Sequence, residues 1–116
     1  MALDIRVRLK KNSIIVKVTG RIIGMDDEKF AKKLESACAK TDRVILDLSE
    51  TDFLDSHGLG TIVYYFHNMQ KQRRDFIILN ANPNPNGYVK RLFELTNLDK
   101  ILNIVDSTDS IDNEDA

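Results

Sequence analysis

The chain has 116 residues, 42% of them hydrophobic and 30% charged, with a formal net charge of -1. That length holds one domain and buries about two-thirds of the unfolded surface, so neither a disulfide nor a metal is needed for folding. The near-neutral balance argues for neither nucleic acid nor an anionic membrane as a partner, and neither is expected. The single cysteine, Cys38, excludes an intrachain disulfide and a paired-cysteine zinc site. No apolar run approaches the ~18 residues of a membrane span. The N-terminus is charged by residue 4 and has no apolar signal core, so a reducing, cytoplasmic setting is expected.

Leu3, Ile5, Val7 and Leu9 alternate with Asp4, Arg6, Arg8 and Lys10, the period of a half-buried strand. Lys11-Asn12-Ser13 is a turn, and Ile14 to Thr19 reads as the hairpin partner, ended by Gly20. Met25 to Ala39 follows as a helix. Asp26, Asp27 and Glu28 load its first turn with acid, and Phe30, Leu34, Ala37 and Cys38 form its buried stripe. Val44 to Leu48 is nearly continuous apolar sequence, suited to a strand covered on both faces. A second helix runs from about Ser56 to Arg73, with Leu59, Ile62, Val63, Phe66 and Met69 on one face. Phe76 to Leu79 is another strand, Asn80 to Gly87 a turn-rich connection, Tyr88 to Thr96 a third helix, and Ile101 to Val105 a last short strand. From Asp106 onward Asp106, Asp109, Asp112, Glu114 and Asp115 meet no base. A folded domain over 1–105 and a disordered acidic tail over 106–116 are therefore expected. The order predicts an α/β domain with a mixed sheet of four or five strands. Its N-terminal hairpin is antiparallel, its later strands are parallel, and its helices lie mainly on one face.

Several chemistries lack their residues. Asp55, Ser56 and His57 are the three types of a hydrolytic triad, but neighbours at a helix start point about 100° apart and cannot bond in series. A nucleophile elbow wants glycine two before the serine, where Leu54 stands. Gly58-Leu59-Gly60 is followed by Val63 where a dinucleotide fingerprint needs glycine, and no P-loop is present. His57 and His67 have no supporting ligand spacing. A receiver domain needs an acidic pair after its first strand, where Lys10 and Lys11 stand, so Asp47 reads as a strand residue with local hydrogen bonds.

Phe53-Leu54-Asp55-Ser56-His57-Gly58-Leu59-Gly60 joins the apolar strand to the second helix. A serine there lies near free backbone N–H groups and the positive end of the helix dipole, a place that tolerates phosphate. Ser56 is then either an ordinary helix cap or a phosphorylation switch.

Val18-Thr19-Gly20, the Asp55-Ser56-His57-Gly58-Leu59 stretch, and Val89-Lys90-Arg91-Leu92-Phe93-Glu94-Leu95-Thr96 converge in order and spacing. Together they resemble the STAS-domain family, specifically its stand-alone bacterial anti-sigma-factor antagonists, over about Leu3 to Val105. The resemblance implies a non-enzymatic switch without cofactor or metal, monomeric when free. It places a phosphorylated serine at Ser56. Its implied partners are an anti-sigma factor with serine kinase activity and a PP2C-type phosphatase that resets the site. Unphosphorylated antagonist binds the anti-sigma factor and frees the sigma factor; phosphorylated antagonist lets go. The alternative within the family is a structural STAS subunit that is never phosphorylated. Two departures stand out: His57 replaces a common serine or threonine, and Arg21-Ile22-Ile23 replaces an acidic, polar turn. The expected partner surface is Asp55, Ser56, His57 and Gly58 together with Ile22 and Ile23 as an exposed aliphatic loop; the equally weighted alternative is that these two aliphatics tuck into the core.

Overall fold

A computed structural model describes residues 3–82 and 87–111. Alternation becomes a hairpin: Asp4–Leu9 (β1) runs antiparallel to Ile14–Ile22 (β2), from Asp4 opposite Thr19 to Leu9 opposite Ile14. The turn closes with the Lys10 N–H donating to the Ser13 carbonyl at 2.8 Å. Asp26–Lys40 (α1) follows, then Arg43–Leu54 (β3), Ser56–Lys71 (α2), Asp75–Leu79 (β4), Tyr88–Leu95 (α3) and Asn103–Val105 (β5), with single 3-10 turns at Leu98–Lys100 and Thr108–Ser110. The sheet has five strands in the order β1-β2-β3-β4-β5, and every pair after the hairpin is parallel. The mixed sheet with an antiparallel edge is therefore as expected.

All three helices pack on one face. Ile14, Val16 and Val18 of β2, Val44, Leu46 and Leu48 of β3, and Phe76 and Ile78 of β4 point toward them. They meet Phe30, Leu34 and Ala37 of α1, Ile62, Phe66 and Met69 of α2, and Val89 and Phe93 of α3. Each such side chain contributes about 1.5–3 kcal/mol through burial. Cys38 is half-buried at the rim of this core, and burial pushes its thiol up to about 11, which makes it a packing residue rather than a nucleophile.

Three expectations about extent are corrected. Gly20 does not end β2. Its φ of +100° lets the strand bulge, the pairing with β3 shifts register there, and the inward alternation of Ile14, Val16 and Val18 carries on through Gly20 to Ile22, with Arg21 outward. β3 does not stop at Leu48 but continues to Leu54, because Glu50, Thr51, Phe53 and Leu54 pair with Thr19 to Ile22 of β2. Thr51, polar but buried, is accommodated there by donating its Oγ1 hydrogen to the Val18 carbonyl at 2.9 Å. Nor does the packed chain stop at Val105. The Thr108–Ser110 turn brings Ile111, 8% exposed, onto the helix-free face of the sheet. There it covers Ile45, Ile77 and Leu79, with Ile15 and Val105 alongside. The rest of the expected tail, 112–116, and part of the turn-rich connection, 83–86, lie outside the described residues.

One smaller expectation is met. Asp47 makes a local hydrogen bond, its Oδ1 accepting from the Ser49 N–H at 2.9 Å. Arg74, after α2, closes that helix end onto its neighbours, donating to the Cys38 carbonyl and pairing with Asp42 at 3.3 Å.

Candidate functional site

The site lies where β2 and β3 end and α1 and α2 begin. Asp55 sits between β3 and α2 with extended backbone angles, φ -84° and ψ 177°, which is the geometry of a helix cap. Its Oδ1 accepts from the Gly58 N–H at 2.8 Å. Its Oδ2 accepts from the Gly24 N–H at 3.1 Å, across 31 residues of sequence. Its own N–H donates to the Ile22 carbonyl at 3.1 Å. One carboxylate thus caps α2 and ties down the turn before α1. That turn has Gly24 at φ +58°, a left-handed angle that glycine adopts without a steric cost.

The cap position decides one open question. Ser56 is already the first residue of α2 and the capping bond belongs to Asp55, so Ser56 is not the cap. Its side chain is exposed beside an equally exposed His57. No acidic residue occupies the first turn of α2, so the positive end of its dipole is offset only by Asp55.

Of the residues expected at a partner surface, Asp55, Ser56 and His57 come together beside the turn bearing Ile23, which is half-buried. Ile22 and Gly58 do not belong to that surface. Ile22 is fully buried, because β2 continues past Gly20 and keeps its even-numbered positions facing the core. Gly58 is buried beneath the turn: a Cβ there would lie 3.1 Å from Ile22 Cγ2, 3.1 Å from Leu54 Cδ1 and 3.2 Å from Asp27 Oδ1. It is a close-approach glycine, which lets α2 settle onto β2.

Two residues had not been singled out. Met25, 95% exposed, stands beside Gly24 at the start of α1 and supplies the apolar element that Ile22 does not. Asp27, 8% exposed, reaches under Gly58. Its signal was in the sequence: 27, 30, 34 and 37 share one helix face, so an acid occupies a core position of α1. Burial first, and then the neighbouring Asp55 carboxylate, push Asp27 up to about 6. For Asp55, partial burial acts upward, but the Gly58 and Gly24 N–H groups outweigh it and hold the acid below its ordinary range. On the other side of the site, Tyr88 at the start of α3 stacks on Phe53 at 4.7 Å and donates its hydroxyl hydrogen to the Leu54 carbonyl at 3.3 Å.

Among the described residues no group of three or more His, Cys, Asp or Glu is placed to hold a metal ion. No described helix is long and apolar enough to cross a membrane. What the arrangement offers is an exposed hydroxyl at a helix start, backed by a carboxylate that fixes two loops at once.

A family model described as STAS domain matches residues 4–111. The chain is 24% identical over 109 residues to the anti-sigma F factor antagonist of Paenibacillus polymyxa, covering 92% of this chain and 90% of that protein. It is 27% identical over 106 residues to the anti-sigma-B factor antagonist of Listeria monocytogenes, covering 88% and 90%. Among solved structures, an anti-sigma factor antagonist from Mycobacterium paratuberculosis is similar with a TM-score of 0.78 at 22% identity, covering 94% of this chain and 90% of that one. The Bacillus cell fate determinant SpoIIAA, solved in its phosphorylated form, is similar with a TM-score of 0.66 at 17% identity, covering 95% and 96%.

Proposed function

The chain belongs to the STAS domain family, and we propose that it is an anti-sigma-factor antagonist, a binding switch rather than an enzyme, controlled by phosphorylation of Ser56. The observation that carries this reading is the division of labour at the start of α2. Asp55 makes the capping bond, so the Ser56 hydroxyl is exposed and outside the helix's own hydrogen bonding. The names of the curated relatives and the phosphorylated form of SpoIIAA support it.

The unphosphorylated chain binds an anti-sigma factor that is also a serine kinase, and a sigma factor is released. The contact surface is the Asp55-Ser56-His57 turn with Met25 as its apolar element and half-buried Ile23 beside it. Phosphate on Ser56 adds about -1.5 to -2 charges at neutral pH. The helix start tolerates that charge locally, so the domain stays folded. The penalty falls on the partner through bulk and through repulsion shared with Asp55. Losing a contact patch of a few kcal/mol lowers affinity on the order of a hundredfold. A PP2C-type phosphatase restores the binding form.

Calorimetry with the partner kinase tests this. Affinity is expected to fall in the order wild type, Ser56→Asp, phospho-Ser56, since one carboxylate carries less charge and fewer acceptor oxygens than a phosphate. Ser56→Ala is expected to bind constitutively and accept no phosphate. Phosphate still appearing on the Ser56→Ala protein moves the site elsewhere. Equal affinity for all three forms makes the chain a structural STAS subunit instead.

A further inference from the structure

Asp27 is the one ionisable side chain in the buried set among the described residues. Its Oδ1 is buried and meets no hydrogen-bond donor. That atom lies over Gly58, 3.2 Å from where a Cβ would be. Asp55 lies beside it, with Oδ1 already accepting from Gly58 and Oδ2 from Gly24. If both acids are ionised, they repel, and the buried Asp27 oxygen has lost its water without gaining a donor. If Asp27 keeps a proton, both problems vanish. Its O–H becomes a donor, and each Asp55 oxygen still has a lone pair to receive it.

We propose that Asp27 carries a proton which it donates to Asp55, and that this shared proton holds together the two turns that present Ser56. On the reading of Ser56 as the phosphorylation site, the proton and a phosphate on Ser56 favour each other, because added negative charge nearby raises the proton affinity of the acid. The coupling is reciprocal: whatever the phosphate does to the proton, the proton does to the phosphate. Asp27 is a positioning residue here, acting on Ser56 through Asp55.

The groups facing Asp27 decide the direction. Asp55, from the junction of β3 and α2, favours the proton, and so does Asp26 on the same helix turn. His57, from the first turn of α2, opposes it. From β2 comes Ile22, whose Cγ2 crowds the same point over Gly58 and brings no polar group. Burial adds to Asp55 and Asp26, and the balance places the titration near pH 6.

A carbon-detected NMR titration of the aspartate carboxyl groups in the full chain reads Asp27 and Asp55 directly. The amide shifts of Gly24 and Gly58 read the turns. The expected result is an Asp27 midpoint near pH 6 that both glycine amides follow. In phospho-Ser56 protein the midpoint moves to higher pH. In Asp27→Asn, whose side-chain amide still donates to Asp55, the two glycine amides hold their low-pH positions throughout. An Asp27 midpoint in the ordinary range, about 4, overturns the proposal. So do Gly24 and Gly58 amides that ignore the titration, or a midpoint that phosphate does not move. The free-protein titration needs no partner. Glycine amides that follow Asp27 in a chain whose kinase never modifies Ser56 would uphold the shared proton and sink the phosphorylation reading.

Discussion

The two helices that meet at the site begin in opposite ways. At α1 the residue before the helix, Met25, makes no side-chain capping bond, and Asp26, Asp27 and Glu28 load the first turn with acid. Within that turn the chain is closed by backbone bonds, Asp26 N–H to the Ile23 carbonyl and Asp27 N–H to the Gly24 carbonyl. At α2 a side chain does the capping and the first turn holds no acid. One helix start has its positive end answered by its own sequence, and the other leaves room for a further negative charge. Asp55 joins the two, capping the second while holding the turn before the first. The Asp55 side chain therefore touches both helix starts at once.

Ile22 is the floor under both helix starts, so its truncation breaks the comparison most completely. Ile22→Ala is expected to cost about 2–5 kcal/mol by leaving a cavity under Gly58, read as a lower urea midpoint with an unchanged slope. Asp55→Ala comes next. It removes a cap and the Gly24 bond together, at about 1–3 kcal/mol, and fast amide exchange should appear at both Gly24 and Gly58. A loss at Gly58 alone would show that the two starts are not tied.

The third test is pH. Asp27 is raised in the folded state, so between about pH 4 and its folded value near 6 the folded chain holds a proton that the unfolded chain has lost. The stability this group contributes is present below that window and declines as pH rises through it. Asp55 is lowered, so its contribution is present above the ordinary carboxylate value and is lost as pH falls through its folded one. Urea midpoints for wild type are expected to fall relative to Asp27→Asn across about pH 4 to 6. Parallel curves would remove Asp27 from the account. The smallest effect belongs to Ser56→Ala. With the cap held by Asp55, the change is expected to stay within about 0.5 kcal/mol, the range of an ordinary exposed position. A loss above 1 kcal/mol, roughly the cost of a missing cap, would return the capping role to Ser56.

The order of elements and the helix-bearing face were legible because each rests on local periodicity: β1 and β2 alternate by two, and α1 and α2 carry apolar stripes at helical spacing. What escaped depended on pairing between distant segments. β2 runs past Gly20, and β3 past Leu48, because each completes the other's hydrogen bonds through two register shifts, and neither stretch alone shows it. The burial of Ile22 follows from that continuation, since the even-numbered positions from Ile14 to Ile22 all face inward. The capping role went to Asp55 because the helix begins one residue earlier than a serine cap at position 56 requires, a difference at the limit of what sequence resolves. Asp27 escaped for another reason. Three consecutive acids fit the dipole, and that pattern masks the place of the middle one on the apolar stripe.

The seat of Ile111 bears on how this chain is handled at the bench. A version cut after Val105 would keep every strand and helix, yet strip the cover from Ile45, Ile77 and Leu79 on the side of the sheet that no helix shields. Such a bare aliphatic strip invites self-association. Fusion junctions and purification tags are better attached beyond residue 111, so that Ile111 stays in place over that face.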